Sequence, residues 1–203
     1  MIDDSLRAPS SIDLGQRTVL LGVAADSIRT TLTIGRVRLP DPQAYPADLR
    51  EPRATFVTLE REGELLGCVG TLQPVRPLVV DVAHNAVAAA FTDPRVPPVD
   101  ADDYRHMSIK ISVLSAHESL GAASYADVVH GVRSHTDGLV VHSGRHRATL
   151  LPSVWPKVRD AASFCEHLWR KAGLVPGTWP LGTRVSRYTT EEFAADPPRD
   201  EPA

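Results

Sequence analysis

The sequence predicts an α+β fold, with antiparallel strands and helices in separate groups. Three observations carry this. Strand-like runs come in adjacent pairs, near 55–70 and 138–151, each pair joined by a short polar turn. Helical periodicity fills the stretches between the pairs instead of alternating singly with strands. Residues 108–114 (SIKISVL) alternate apolar and polar side chains, as a strand buried on one face does.

The elements follow in order. Asp13 is a cap candidate, and Leu20, Leu21, Val23, Ala24, Ile28 and Leu32 after it recur at helical intervals. A proline-rich loop runs from Pro40 to Pro52. Thr55–Leu59 is β-branched and aromatic, Arg61-Glu62-Gly63-Glu64 is a turn, and Leu65–Val69 returns, which predicts a hairpin. Pro77–Phe91 presents one broad apolar face and predicts a second helix, stopped by Asp93-Pro94-Arg95-Val96-Pro97-Pro98. Ser115-Ala116-His117-Glu118 has the spacing of a capping box and predicts a short helical turn. Gly138–His142 and Arg147–Leu151 form a second hairpin around Ser143-Gly144-Arg145. Ala161–Ala172 is a third helix ending at Gly173, and Val185–Tyr188 a last short strand. Residues 1–14 read as a flexible N-terminus, 15–190 as a single domain, and 191–203 as an acidic, proline-rich tail with nothing to bury from 194 onward.

Composition excludes several classes. The 203 residues carry a formal net charge of -3 and are 42% hydrophobic, as ordinary globular chains are. Cys68 and Cys165 make no CxxC pair, so neither a disulfide scaffold nor a zinc ribbon is predicted. No run of about 18 uncharged apolar residues is present, which excludes a membrane helix. The acidic start MIDDSLRAPSSIDL is unlike a signal peptide, and a reducing cytoplasmic setting is expected. There is no Walker loop, GxGxxG or HExxH, and no cofactor or metal is predicted.

Gly67-Cys68-Val69-Gly70 is the most unusual local feature. Glycines weaken a strand and mark a bulge or a close backbone approach. Alternation puts Leu66, Cys68 and Gly70 on one face and Leu65, Gly67 and Val69 on the other. Two readings stand side by side. Cys68 is a nucleophile beside unobstructed backbone N–H groups that stabilise an anion, or it is a small buried hydrophobe whose glycines permit tight packing. A nucleophile needs a base, and the eight histidines supply no obvious one. His142 and His146 are separated by Ser143-Gly144, His130 and His135 by a polar loop, and a zinc site from these four would need convergence from a flexible segment. His84 lies in the second helix, and Cys165 on the apolar stripe of the third. Arg95 has two readings as well: it holds a helix end or a carboxylate, or it reaches a ligand beside the cysteine hairpin.

Taken together, several segments resemble the AMMECR domain family. They are ATFVTLEREGELLGCVGTLQPVRPL at 54–78, AAAFTDPRVPPV at 88–99, SIKISVLSAHE at 108–118, DGLVV at 137–141, ATLLPSVW at 148–155 and RKAGL at 170–174. Their fixed order over roughly residues 15–190 makes the resemblance far more specific than any one motif. It implies a largely antiparallel, barrel-like sheet with flanking helices, built from two repeats of three strands and two helices. The family hexapeptide LRGCIG aligns with Leu65-Leu66-Gly67-Cys68-Val69-Gly70, with Leu66 in place of the arginine. The DPRFPP element aligns with Asp93–Pro98 and keeps Arg95. The site the resemblance implies therefore comprises Gly67, Cys68, Gly70 and Arg95, with Cys68 as its only catalytic candidate. Family members occur with Memo-type and radical-SAM proteins, so the resemblance implies a protein partner of that kind.

Three functions follow as expectations. The first is an accessory or binding domain in a multi-protein pathway. The second is an enzyme with Cys68 as nucleophile. The third is a binder of an anionic partner such as nucleic acid, which the overall charge opposes. Local charge differs, however: residues 145–190 hold eight bases against Asp160 and Glu166, a net of +6, so the acidity belongs to the termini.

Overall fold

The structure, a computed structural model, describes residues 11–196. The expectations placed on residues 1–10 and 197–203 lie outside the described residues. In chain order the elements are α1 (Leu14–Ile34), α2 (Ala47–Arg50), β1 (Thr55–Arg61), β2 (Glu64–Gly70), α3 (Leu78–Phe91), α4 (Ala101–His106), β3 (Ser108–Leu114) and β4 (Glu118–Ser119). They continue with α5 (Tyr125–Gly131), β5 (Gly138–Ser143), β6 (His146–Leu150), α6 (Ala161–Lys171), β7 (Arg184–Tyr188) and β8 (Thr190–Ala195). Short 3-10 turns cover Pro42–Ala44 and Pro152–Lys157. The fold is α+β, and no helix among the described residues is long and apolar enough to cross a membrane.

The chain divides into two compact units, one running through Leu114 and resuming at Glu191, the other Ser115–Thr190. The first holds a four-stranded sheet in the order β2-β1-β3-β8, the second one in the order β4-β7-β5-β6. The barrel-like sheet expected from the resemblance is not formed: the described residues make two four-stranded sheets and no closed barrel.

In the first unit, Asp13 and Gln16 close a reciprocal capping box that starts α1, and Gly35 in the left-handed region ends it. Leu20, Val23, Ala24 and Ile28 of α1 and Val79, Val82, Ala83 and Ala86 of α3 pack against Val57, Leu59, Ile109 and Ile111. Each leucine, isoleucine or valine among them contributes roughly 1.5–3 kcal/mol by leaving water. The β1–β2 turn matches expectation, with Glu62 and Gly63 both at positive φ, 52° and 84°.

The second unit buries its core between the sheet and helices α5 and α6. Leu139, Val141, Ala148, Leu150 and Val185 meet Val128, Phe164, Leu168 and Trp169. Trp155 stacks on Phe164 with ring centroids 4.1 Å apart.

Two local expectations fail. The helical turn at Ser115–Glu118 is absent, because the backbone is taken by sheet pairing. The Ser115 hydroxyl accepts from the Thr189 N–H instead of capping, and Glu118 pairs with Arg187 in β4–β7. The described part of the expected tail is a strand: β8 lies beside β3, Phe193 is 9% exposed, and Glu192 accepts from Ser112 at 3.0 Å. One aromatic ring in an acidic stretch is a weak sequence signal, and only a neighbouring strand edge makes it an anchor.

Candidate functional site

Cys68 sits in β2, at the edge of its sheet, opposite Thr58 of β1. Thr71 N–H donates to the Thr55 carbonyl, so the ladder phase turns the backbone groups of Cys68 outward, away from β1. An unpaired edge invites pairing with another chain. Here it is closed by side chains. The Cys68 N–H donates to Asp93 Oδ2 at 2.9 Å, and Arg95 Nη2 donates to the Cys68 carbonyl at 2.9 Å. Arg95 also grips Asp93 through Nε at 2.9 Å and Nη2 at 2.6 Å. The carboxylate and the guanidinium thus take the place of a neighbouring strand's carbonyl and N–H.

This changes the expected chemistry. The free backbone N–H that an anion-stabilising reading needs at Cys68 is occupied by Asp93. The Arg95 guanidinium, hydrogen-bonded first and foremost, holds the Asp93 carboxyl far below the usual carboxylate range, so it is ionised and an acceptor. The thiol itself accepts a hydrogen bond from the Thr58 hydroxyl, with Oγ1 3.3 Å from Sγ. Thr58 in turn pairs with Lys110 of β3, so Cys68, Thr58 and Lys110 lie in one cross-strand row. Cys68 is half-buried.

The two glycines serve packing. A Cβ on Gly67 would lie 2.0 Å from the Ala89 carbonyl oxygen of α3, and one on Gly70 would strike the Phe56 ring at 2.3 Å. Gly67 is what allows α3 to lie close against β2. Strand alternation also breaks here. The register jumps from Leu59↔Gly67 to Glu60↔Leu65, leaving Leu66 as the extra residue of a bulge. Leu66 packs on the core together with Val69, so the bulge takes it off the face that alternation gave it with Cys68, and Leu65 is 38% exposed.

The histidines do not converge. His84 lies beside Asn85, His130 is on α5, and His135 packs 5.8 Å from the Trp155 ring. His146 Nδ1 is 2.9 Å from the Ala172 carbonyl, whereas His142, one pair further from the turn, points to the other face of the sheet. Cys165 is fully buried, and burial pushes its thiol up to about 12. A cavity of about 290 Å³ opens along α1, lined by Asp26, Arg29, Arg38 and Tyr45 among others, and none of Gly67, Cys68, Gly70 or Arg95 borders it.

The AMMECR1 family model matches residues 21–193, a span that holds Cys68, Asp93 and Arg95 and most of both units. The chain belongs to the AMMECR1 family. A relative from Methanothermobacter thermautotrophicus is 37% identical over 93% of this chain and 98% of its own length. Protein MJ0810 of Methanocaldococcus jannaschii is 31% identical over 78% and 81%. The crystal structure of the uncharacterized protein PH0010 from Pyrococcus horikoshii is similar with a TM-score of 0.80 and 31% identity, covering 89% of this chain and 91% of that one. For this AMMECR1-family chain, the leucine at the hexapeptide's arginine position has a physical setting: at the bulge, its side chain covers the core.

Sequence reasoning missed Asp93 as the partner of the Cys68 N–H, and Thr58 as the partner of its sulfur. It also missed Asp81 and Asn85, both buried in α3. Asp81 Oδ2 accepts from the Thr55 N–H and hydroxyl, the Thr71 hydroxyl and Asn85 Nδ2, and Oδ1 accepts from Arg76. Their i,i+4 spacing inside an apolar helix was the available signal.

Proposed function

We propose that this AMMECR1-family chain is a cytosolic binding or accessory domain, working with a protein partner of the Memo or radical-SAM type. The supporting observation is the closure of the β2 edge. The one arginine of the implied site is engaged by a carboxylate and a backbone carbonyl, and so positions the strand instead of meeting a substrate. That arrangement favours a rigid, presented surface over a reacting centre. We also read residues 15–190 as one AMMECR-type domain made of two repeats. In support, α1, the β1–β2 hairpin, α3 and β3 recur in the same order as α5, the β5–β6 hairpin, α6 and β7, and in each the last strand pairs with the first of the hairpin. Affinity capture of the tagged full chain from its native cells, read by quantitative mass spectrometry, is expected to recover a stoichiometric partner. Turnover by the purified chain, with repeated failure to recover any partner, overturns this reading.

A second reading, an enzyme with Cys68 as nucleophile, is favoured by one observation: the Thr58 hydroxyl donates to the sulfur, a bond that stabilises a thiolate more than a thiol. It requires Cys68 to react with iodoacetamide at neutral pH faster than an ordinary free thiol.

A further inference from the structure

The second unit's sheet carries a row of cations that no anion matches among the described residues. His142 of β5 stands opposite Arg147 of β6 on one side and opposite Arg184 of β7 on the other. Neighbouring strands lie about 4.8 Å apart, so the two arginine stems are roughly 10 Å apart with the imidazole between them. The core side chains Val141, Ala148 and Val185 are their immediate neighbours along each strand and point to α6, so these three point the other way. Arg147 and Arg184 are exposed and His142 half-buried.

The unit's own acids are engaged elsewhere. Glu118 pairs with Arg187, Asp137 with Arg133 and Glu166 with Arg170, while Asp127 accepts from the Ala123 N–H and Asp160 from the Ser163 N–H. Neither Arg147 nor Arg184 forms an ion pair among the described residues. Both repel a proton on His142, whose pKa is lowered first by burial and then by these two cations. Arg147 acts in the same sense on His117, whose ring lies tilted against that of Tyr188 with centroids 5.2 Å apart. Like charges gathered in one row oppose folding unless something neutralises them. A sequence that sets two unpaired guanidinium groups around a neutral imidazole has the composition of an oxyanion site: two permanent charges, forked donors, and a ring nitrogen for one further hydrogen bond.

We infer that Arg147, His142 and Arg184 bind the dianionic phosphate of a small phosphate monoester. The charge match selects the monoester, which carries close to two negative charges at neutral pH, over a diester with one. This site is separate from Cys68 and does not depend on the reading given for it.

The test is a ¹H–¹⁵N NMR titration of the full chain at constant ionic strength with inorganic phosphate, phenyl phosphate and phenol. Phosphate and phenyl phosphate are expected to give saturable shifts centred on the Arg147 and Arg184 Nε–H and the His142 ring, and phenol none. Each of R147Q and R184Q should weaken phenyl phosphate about tenfold, the loss of one charge-assisted contact. K157Q/R159Q, which removes two charges elsewhere in the unit, one more than either single variant, should leave the affinity unchanged. Shifts that follow sodium chloride alike, or an absence of saturation in the unaltered chain, overturn the site without any variant having to fold. A single-stranded oligonucleotide binding more tightly per phosphate than phenyl phosphate, with a steep salt dependence, would overturn the monoester in favour of a polymer.

Discussion

Asp93 and Cys68 are joined across the edge of a sheet: the Cys68 N–H donates to Asp93 Oδ2 at 2.9 Å, and Arg95 completes the ring by donating to both. The carboxylate is buried, with 3% of its side chain exposed, whereas the guanidinium is 58% exposed. Asp93→Ala is therefore expected to cost on the order of 2 kcal/mol, since it leaves the strand N–H and the arginine without their acceptor. Arg95→Ala should cost less, because water replaces much of what it provides. Urea unfolding of the two single variants and the double variant measures the coupling, and additive losses would contradict the closed ring.

Acid should release the same contact. The folded Asp93 carboxyl lies below its unfolded value, about 3.9, so its ionised form stabilises the fold throughout the range above that value. The contribution is lost as pH falls below about 4 and the proton is taken up. Stability measured between pH 6 and pH 2.5 should drop more steeply for the unaltered chain than for Asp93→Asn. Parallel curves would show that another carboxylate dominates acid unfolding.

Gly67→Ala is expected to destabilise by about 3 kcal/mol, near the upper end for an overpacked site. The added carbon meets the Ala89 carbonyl oxygen, a backbone atom that yields only if α3 moves. A thermal midpoint unchanged within a degree would show that helix and strand are not held at this distance.

The two cysteines should separate cleanly in labelling. Cys68 is half-buried and Cys165 fully buried with its thiol pushed up to about 12, so native protein should be modified at Cys68 alone. Thr58→Val removes the hydrogen bond to the sulfur, and should slow modification if that bond favours the thiolate. Mass spectrometry after timed alkylation reads both sites at once. Equal rates at the two cysteines would contradict the burial assigned here.

His142 predicts a second pH limb. Its folded pKa is lowered, first by burial and then by Arg147 and Arg184, so the unfolded chain takes up its proton first on acidification. The stabilisation is full above the ordinary value of about 6.5 and is lost as pH falls through the lower folded value. In R184Q the His142 titration followed by NMR should move upward. An unmoved titration would show that Arg184 does not act on the ring.

Much of this was legible in the residues. The Asp13 cap, the Glu62-Gly63 turn, the apolar face of α3 and the alternation of Ser108–Leu114 are local patterns whose physics is complete within a few positions. The ordered segments from 54 to 174 identified the family, and Asp93 and Arg95 stood together in one of them. The failures were contacts between separate stretches of the chain, most of them distant. Ser115–Glu118 carries the spacing of a helix cap, but a serine caps only when its own backbone is not already paired, and Thr189 pairs it. The acidic stretch after Thr190 reads as solvent-loving until a strand edge is offered to it beside β3. Leu66 follows simple alternation until one extra residue in the register turns it to the core. The sequence by itself determined the three long helices, the two hairpins and the α+β class. Tertiary structure alone decided that Arg95 closes an edge instead of meeting a ligand, and that His142 lies between two arginines. Partners 27, 25 or 42 positions away are chosen by strand register and helix approach, and nothing in the local spacing of residues encodes them.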